Sequence, residues 1–359
     1  MCNYLLPKGK LIWWSPGWYG GFPIFQFYFF FPYLISCLLG KIIHIQIAFR
    51  IVTVLGTFLL PLTTFATMRL LGFKFPIPIL TSALTLTFLF NQGNSMWGGN
   101  IPSTLAGEFS YSLSLSLTVL FWGTLWKGIK EDKFKVLNPM IFALITYTHI
   151  YTMIIASFSS LFFFLTRDKK ALKRNFLYLL KIFLLALLLV AFWIIPVFRK
   201  MEYRTPFAYI WYFKDFKEYL PEILWPILGL AIISILLSIK RNDERIFFLT
   251  FIMMLSLLFY RFAPLIGLTD IRFVPFAQLV LTLLSAYPST LFTKKLKDRI
   301  IPITIFFVIL TIVWTNKNVT YIHFWIKWNY EGFESKESWH EIKEMFGYIR
   351  NLPDNGRVV

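Results

Sequence analysis

Histidine and cysteine are scarce: four of the first (His44, His149, His323, His340) and two of the second (Cys2, Cys37) in 359 residues. So few, so scattered, offer neither a metal-ligand spacing nor a disulfide framework. Acid is scarce as well, with 18 Asp and Glu against 36 Lys and Arg for a formal charge of +18. There is no phosphate-binding glycine loop of the Walker or dinucleotide type, no nucleophile elbow and no zinc motif, which removes the usual soluble-enzyme signatures. Nor does the chain open with a basic stretch, an apolar run and a small-residue cleavage site, so no signal peptide is read.

Apolar residues are what the chain has in excess: 57% hydrophobic, 20% aromatic, mean hydropathy +0.63. Disorder, a collagen-like repeat and an ordinary soluble core are thereby excluded. Apolar runs long enough to cross a bilayer fall near 51–70, 76–90, 111–126, 182–198, 223–239, 246–262, 274–293 and 300–315. Two more, 24–39 and 139–165, are ambiguous. The expected fold is all-α, a polytopic membrane bundle of about ten spanning or re-entrant helices. Three regions follow: an interfacial, Trp- and Phe-rich segment over 1–50, a membrane domain over 51–315 and an outer tail over 316–359.

Charge sets the orientation. Short connectors carry Arg69 and Lys74; Lys127, Lys130, Lys133 and Lys135; Arg167, Lys169, Lys170, Lys173 and Arg174; Lys240, Arg241 and Arg245; and Lys294, Lys295, Lys297 and Arg299. Such loops face the cytoplasm, so the positive excess reflects topology rather than nucleic acid. The connector from Asn91 to Ser110 has no Lys or Arg and belongs outside, as does the tail after Thr315. This places a multi-pass protein in the cell membrane with its C-terminus extracytoplasmic. Both flanks of 139–165 are basic, so that segment enters and returns, turning near Thr148 and His149. The run Ile24 to Leu39 either crosses or lies along the outer interface, and its aromatic content favours the interface. In the tail, Ser338 and Glu341 have capping-box spacing ahead of an amphipathic helix. Leu352 to Gly356 reads as a turn, and the three residues after it are too few for a strand, so the ends read as truncations.

The outer segments hold the unusual chemistry. Asn91 to Tyr111 (NQGNSMWGGNIPSTLAGEFSY) is rich in Gly, Asn and Ser, with Trp97, Asn100 and Ser103 able to stack on or hydrogen-bond a sugar and Glu108 just before a helix. A bland alternative is a flexible hairpin with Glu108 as a first-turn acid. Asp270 and Arg272 set an acid beside a base at membrane depth: Arg272 to hold a phosphate and Asp270 to orient it or move a proton, or simply a structural pair. His149 serves proton transfer or packing. The mixed charged and aromatic loop from Arg199 to Glu222 suits a lipid-linked headgroup or an interfacial helix. Asn318-Val319-Thr320 matches a glycosylation sequon close to the membrane.

Trp13-Trp14-Ser15-Pro16-Gly17-Trp18-Tyr19-Gly20-Gly21-Phe22-Pro23, leading into Phe25-Gln26-Phe27-Tyr28 and Pro32-Tyr33, together with Gly98-Gly99-Asn100, Ser103 to Ser110, His149-Ile150-Tyr151-Thr152 and Asp270-Ile271-Arg272-Phe273, resembles the polytopic membrane proteins described as 6-pyruvoyl-tetrahydropterin synthase-related. The resemblance covers nearly the whole chain. Those proteins are similar to the GT-C class of glycosyltransferases, and the resemblance implies transfer of a sugar from a polyprenyl-phosphate donor to an acceptor on the outer face. Membrane lipids would be the other partners, and a divalent cation is compatible with such chemistry. In that class an acid follows the first span and an Arg lies near the start of the second. Arg50 matches the Arg, while no leading span with its acid precedes the Trp-rich motif. With the residue readings above, this leaves Glu108, Asp270 and His149 as catalytic candidates and Trp97, Asn100, Ser103 and Arg272 as substrate-binding ones, to which the resemblance adds Arg50. Readings from other classes are a lipid-linked saccharide flippase and a noncatalytic membrane scaffold.

Overall fold

A computed structural model describes residues 1–3, 5–16, 20–203, 210–292 and 297–352. The chain is all-α apart from one hairpin of three-residue strands, β1 (Trp13–Ser15) and β2 (Phe22–Ile24), which pair antiparallel with Trp13 opposite Ile24. Its principal helices are α1 (Phe31–Leu39), α2 (Ile45–Leu70), α3 (Ile77–Leu89), α4 (Phe109–Glu131), α5 (Leu137–Thr148), α6 (Ile150–Ser159), α7 (Lys169–Arg199), α8 (Trp225–Arg241), α9 (Glu244–Phe262), α10 (Val274–Ser285), α11 (Ile300–Lys317), α12 (Ile322–Tyr330) and α13 (Trp339–Arg350).

Among the described residues, six helical stretches are long and apolar enough to cross a membrane, and three shorter apolar helices join them. With the Ser-rich α4, this is the polytopic bundle that the composition predicts. The expected span over 76–90 is only 13 residues as α3, about 20 Å at 1.5 Å per residue and short of a bilayer core of about 30 Å. α1, with nine residues, is shorter still. The segment 139–165 does enter and return: Asn138 at the start of α5 donates to Thr124 O and Phe163 beyond α6 packs on Trp126, both near one end of α4. At the turn, Ser114 Oγ reaches both Ile145 O (3.1 Å) and Thr152 Oγ1 (2.6 Å). His149 takes extended backbone angles (φ −166°, ψ 136°) between the half-helices.

α4 and the stretch Asp270–Leu291 form the centre. The apolar window of Asp270–Leu291 is 94% buried, against 17% for Ile300–Lys317 at the periphery. α4 is enclosed because its neighbours approach at backbone distance. A Cβ added to Gly56 of α2 would lie 2.3 Å from Leu113 N, and one added to Gly123 of α4 would lie 2.8 Å from Thr67 Cα. Small residues let membrane helices touch in this way, and hydroxyls then tie them together: Ser116 Oγ donates to Gly56 O (2.7 Å) and Thr67 Oγ1 to Val119 O (2.6 Å).

The bundle has two chemically distinct ends. At one, the basic connectors meet: Lys130 Nζ pairs with Glu244 (2.6 Å) and Arg245 Nη1 donates to Gly72 O (3.2 Å). Here burial alone would raise the Asp243 carboxyl, but Arg245 and the Tyr287 hydroxyl hold it below the usual range. At the other end the N-terminal segment, the Asn91 connector, the His149 turn, Asp270–Phe273 and residues 318–334 come together. Gln92 Oε1 accepts from Thr320 N (3.0 Å) and Thr320 Oγ1 (2.8 Å), and Tyr330 OH shares a hydrogen bond with Thr53 Oγ1 (3.0 Å).

Three expectations need correction or fall outside. Cys2 and Cys37, too few for a framework, are nonetheless joined in a disulfide. α13 forms where expected, but Ser338 is in helical conformation and makes no side-chain cap bond. The Trp18-Tyr19 part of the aromatic motif, Lys294 and Lys295, Arg204 with Phe207 and Tyr209, and the C-terminal residues 353–359 with the expected strand start lie outside the described residues.

The α2–α4 contact yields a direct test. Gly56→Leu places a branched side chain where backbone already lies, and we expect a loss of at least about 3 kcal/mol. Thermal unfolding in detergent micelles reads this as a large drop in Tm or loss of monodisperse protein, whereas Gly229→Ala, with open space at its Cβ, leaves Tm nearly unchanged.

Candidate functional site

The site begins with the connector before α4. Asn100 caps a short turn over Ile101–Ser103, its Oδ1 accepting from Ser103 N (3.0 Å). Its amide reaches back to Asn91 O (2.8 Å) and Asn94 O (2.6 Å), while Ser103 Oγ accepts from Gly98 N (3.0 Å). Gln278 of α10 donates to Asn94 Oδ1 (3.0 Å) and anchors the connector to the central helix. Gly98 adopts φ 122° directly over the Tyr111 ring, where a Cβ would lie 2.7 Å from ring carbons. The helix then widens by one residue over Thr104–Glu108, with Gly107 at φ 108°, a dihedral that glycine tolerates and larger residues do not. This break delivers Glu108 to the bundle interior at the start of α4.

Three segments meet at its carboxylate. Glu108 Oε1 receives Arg272 Nη2 at 2.5 Å, and Glu108 Oε2 lies 3.9 Å from His149 Nε2. Arg272 comes from the 3₁₀ turn Asp270–Phe273 that opens into α10, and its carbonyl accepts from Tyr111 OH (2.8 Å). The imidazole is packed between Phe29 and Tyr111, each with a centroid 4.8 Å away. Two polar atoms of the cluster remain unsatisfied: Arg272 Nη1, a donor, and His149 Nδ1 are buried with no hydrogen-bond partner. Orphaned buried donors are costly, and they mark a position where an acceptor oxygen would be stabilised.

Asp270 does not pair with Arg272. Its carboxylate accepts from Trp211 N (2.9 Å) and Ile271 N (2.6 Å), so it holds the turn that carries Arg272. Trp97 is buried against Trp211 and Phe213 rather than open to a ligand. Asn100 and Ser103 are likewise buried and shape the connector. Arg50 stands apart, in the second turn of α2, lining a neighbouring cleft with Gln46, Asn329 and Glu334. Two contributors lay outside the sequence-based list. Tyr111 follows Glu108 by one helical turn, a spacing that was legible; Phe29 was legible only as one aromatic among many.

Among the described residues, no group of three or more His, Cys, Asp and Glu side chains could hold a metal. With Arg272 already on one oxygen of Glu108, the cluster does not fit a divalent cation.

A double-mutant cycle tests the ion pair. Both side chains are about four-fifths buried. Arg272→Gln should therefore leave a carboxylate uncompensated and cost about 3 kcal/mol. The Glu108→Gln, Arg272→Gln double variant should recover part of that loss, measured by thermal unfolding in detergent.

No curated protein and no solved structure matches the chain. The sequence model described as "6-pyruvoyl-tetrahydropterin synthase related domain; membrane protein" matches residues 25–330, most of the chain's length. It takes in every residue of the Glu108 cluster and both central helices. The chain belongs to the 6-pyruvoyl-tetrahydropterin synthase-related family of membrane proteins.

Proposed function

We propose that the protein is a GT-C-like membrane glycosyltransferase that moves a sugar from a polyprenyl-phosphate donor to an acceptor hydroxyl on the extracytoplasmic face. The observation that carries this reading is the meeting of Glu108 with Arg272, whose Nη1 has no partner, at the end of the bundle away from the basic connectors. The Cys2–Cys37 disulfide at that same end supports an oxidising, non-cytosolic compartment, and residues 318–334 follow it there.

In this reading the acceptor oxygen attacks the anomeric carbon, and its proton passes to the Glu108 carboxylate. The bond from anomeric carbon to phosphate oxygen breaks, its electron pair leaves with the polyprenyl phosphate, and the configuration inverts. The Arg272 guanidinium stabilises the charge that develops on the leaving phosphate. His149, 3.9 Å from the second carboxylate oxygen, takes the proton onward after a small approach or through one water. Asp270 is a positioning residue that acts through the Arg272 turn.

The test uses the full chain in nanodiscs with polyprenyl-phosphate-linked sugars and a panel of glycoside acceptors. We expect Glu108→Gln to lower turnover at least about 100-fold when assayed well below its reduced Tm, and Arg272→Lys to lower it as well. Equal turnover in the wild type and both variants overturns the assignments. Donor lipid that changes leaflet without being consumed would favour a flippase instead.

A further inference from the structure

A second cleft adjoins the Glu108 cluster without including it. Its volume is about 560 Å³, within the range of small-ligand pockets. One wall is the first two turns of α2, with Gln46, Phe49 and Arg50; the other is the strap that follows α11, with Asn329, Tyr330 and Glu334. Gly107 and Phe109, the chain neighbours of Glu108, also line it. The strap is fastened in place: Asn329 Nδ2 donates to Leu105 O (3.2 Å) and Tyr330 OH bonds Thr53 Oγ1 (3.0 Å). Around Gly107 the space that a Cβ would take is empty.

The lining chemistry distinguishes possible ligands. One cation is offset by one carboxylate, and no second Lys or Arg lines the cleft, so there is no cluster of cations to capture a phosphate. Two amides, a carboxylate and a guanidinium beside aromatic faces instead supply the mixed donors, acceptors and apolar surfaces that polyols require. We infer that this cleft binds the saccharide acceptor, with Arg50, Gln46 and Glu334 hydrogen-bonding its hydroxyls next to the Glu108 backbone. The inference rests on the glycosyltransferase reading for the word acceptor, and it assigns Arg50 to the incoming sugar.

Among the described residues the chain has no free thiol, since Cys2 and Cys37 are bonded to each other. Ser335→Cys, exposed on the strap one residue past Glu334 and outside the cleft lining, therefore gives one labelling site beside the cleft. With an environment-sensitive maleimide there, the full chain in nanodiscs is titrated with methyl glycosides and short oligosaccharides, and separately with glycerol phosphate. We expect saturable emission changes with at least one saccharide, weakened about tenfold when Glu334→Gln or Arg50→Gln is added, with Tm unchanged and no response to glycerol phosphate. A response to glycerol phosphate alone, a response to no probe, or saccharide binding untouched by both variants overturns the inference. Saccharide binding without any sugar transfer by the wild type would overturn the transferase reading and leave the saccharide site standing. Transfer lost in Glu108→Gln but insensitive to cleft-filling Asn329→Trp would overturn the acceptor site and leave the transferase reading standing.

Discussion

A carboxylate and a guanidinium drawn from segments 164 residues apart meet where the two most enclosed helical stretches begin. The Glu108–Arg272 pair fixes the relative height of α4 and α10, and most other features at that end are arranged around it. Charges in a low-dielectric interior are stable only when paired, so neither helix can shift along the other without exposing a charge to apolar surroundings. Tyr111 reinforces the join by donating to the Arg272 carbonyl, and the Asn91–Asn94–Asn100 network holds the connector that delivers Glu108. The site is thus also a structural clasp. It differs from a plain clasp in that two of its polar atoms, Arg272 Nη1 and His149 Nδ1, are buried side by side with the ion pair and have no partner.

The re-entrant hairpin solves a related problem. Broken backbone at membrane depth is tolerated only inside protein, and the break at His149 sits between Phe29 and Tyr111 with Ser114 beneath it. The same hydroxyl that closes the turn belongs to α4, so the helix that carries Glu108 also positions His149. One central helix therefore organises two of the three members of the cluster, and the turn that opens into α10 supplies the third.

Much of this was legible in the sequence because composition and charge act locally. Apolar runs announce helices wherever they occur, and basic connectors such as Lys127 to Lys135 mark one end of the bundle without reference to anything else. The turn at His149 followed from the same bookkeeping of sides. What the sequence concealed depends on distant pairing. Glu108 and Arg272 were singled out separately, each for its own chemistry, and Arg272 was set beside Asp270, its neighbour in the chain. In space the 3₁₀ turn sends the two in different directions. Trp97 looked like a stacking platform because a Gly-rich loop suggests exposure, yet the loop folds inward onto Trp211 and Phe213. α3 was read as a full span since hydropathy measures composition, and the helix stops at Leu89 before the Asn91 network begins.

The near-contact of backbones at Gly56 and Gly123 has a mechanical meaning. Helices that touch without side chains between them have no soft layer to shear, so α2 and α4 must behave as a single rigid spine. Any breathing is then left to the rim, where Ile300–Lys317 is only 17% buried and is held to its neighbours by bonds such as Trp314 Nε1 to Ile223 O. The molecule divides into a tightly packed pillar that keeps the charged cluster in register and a thinly packed rim around it.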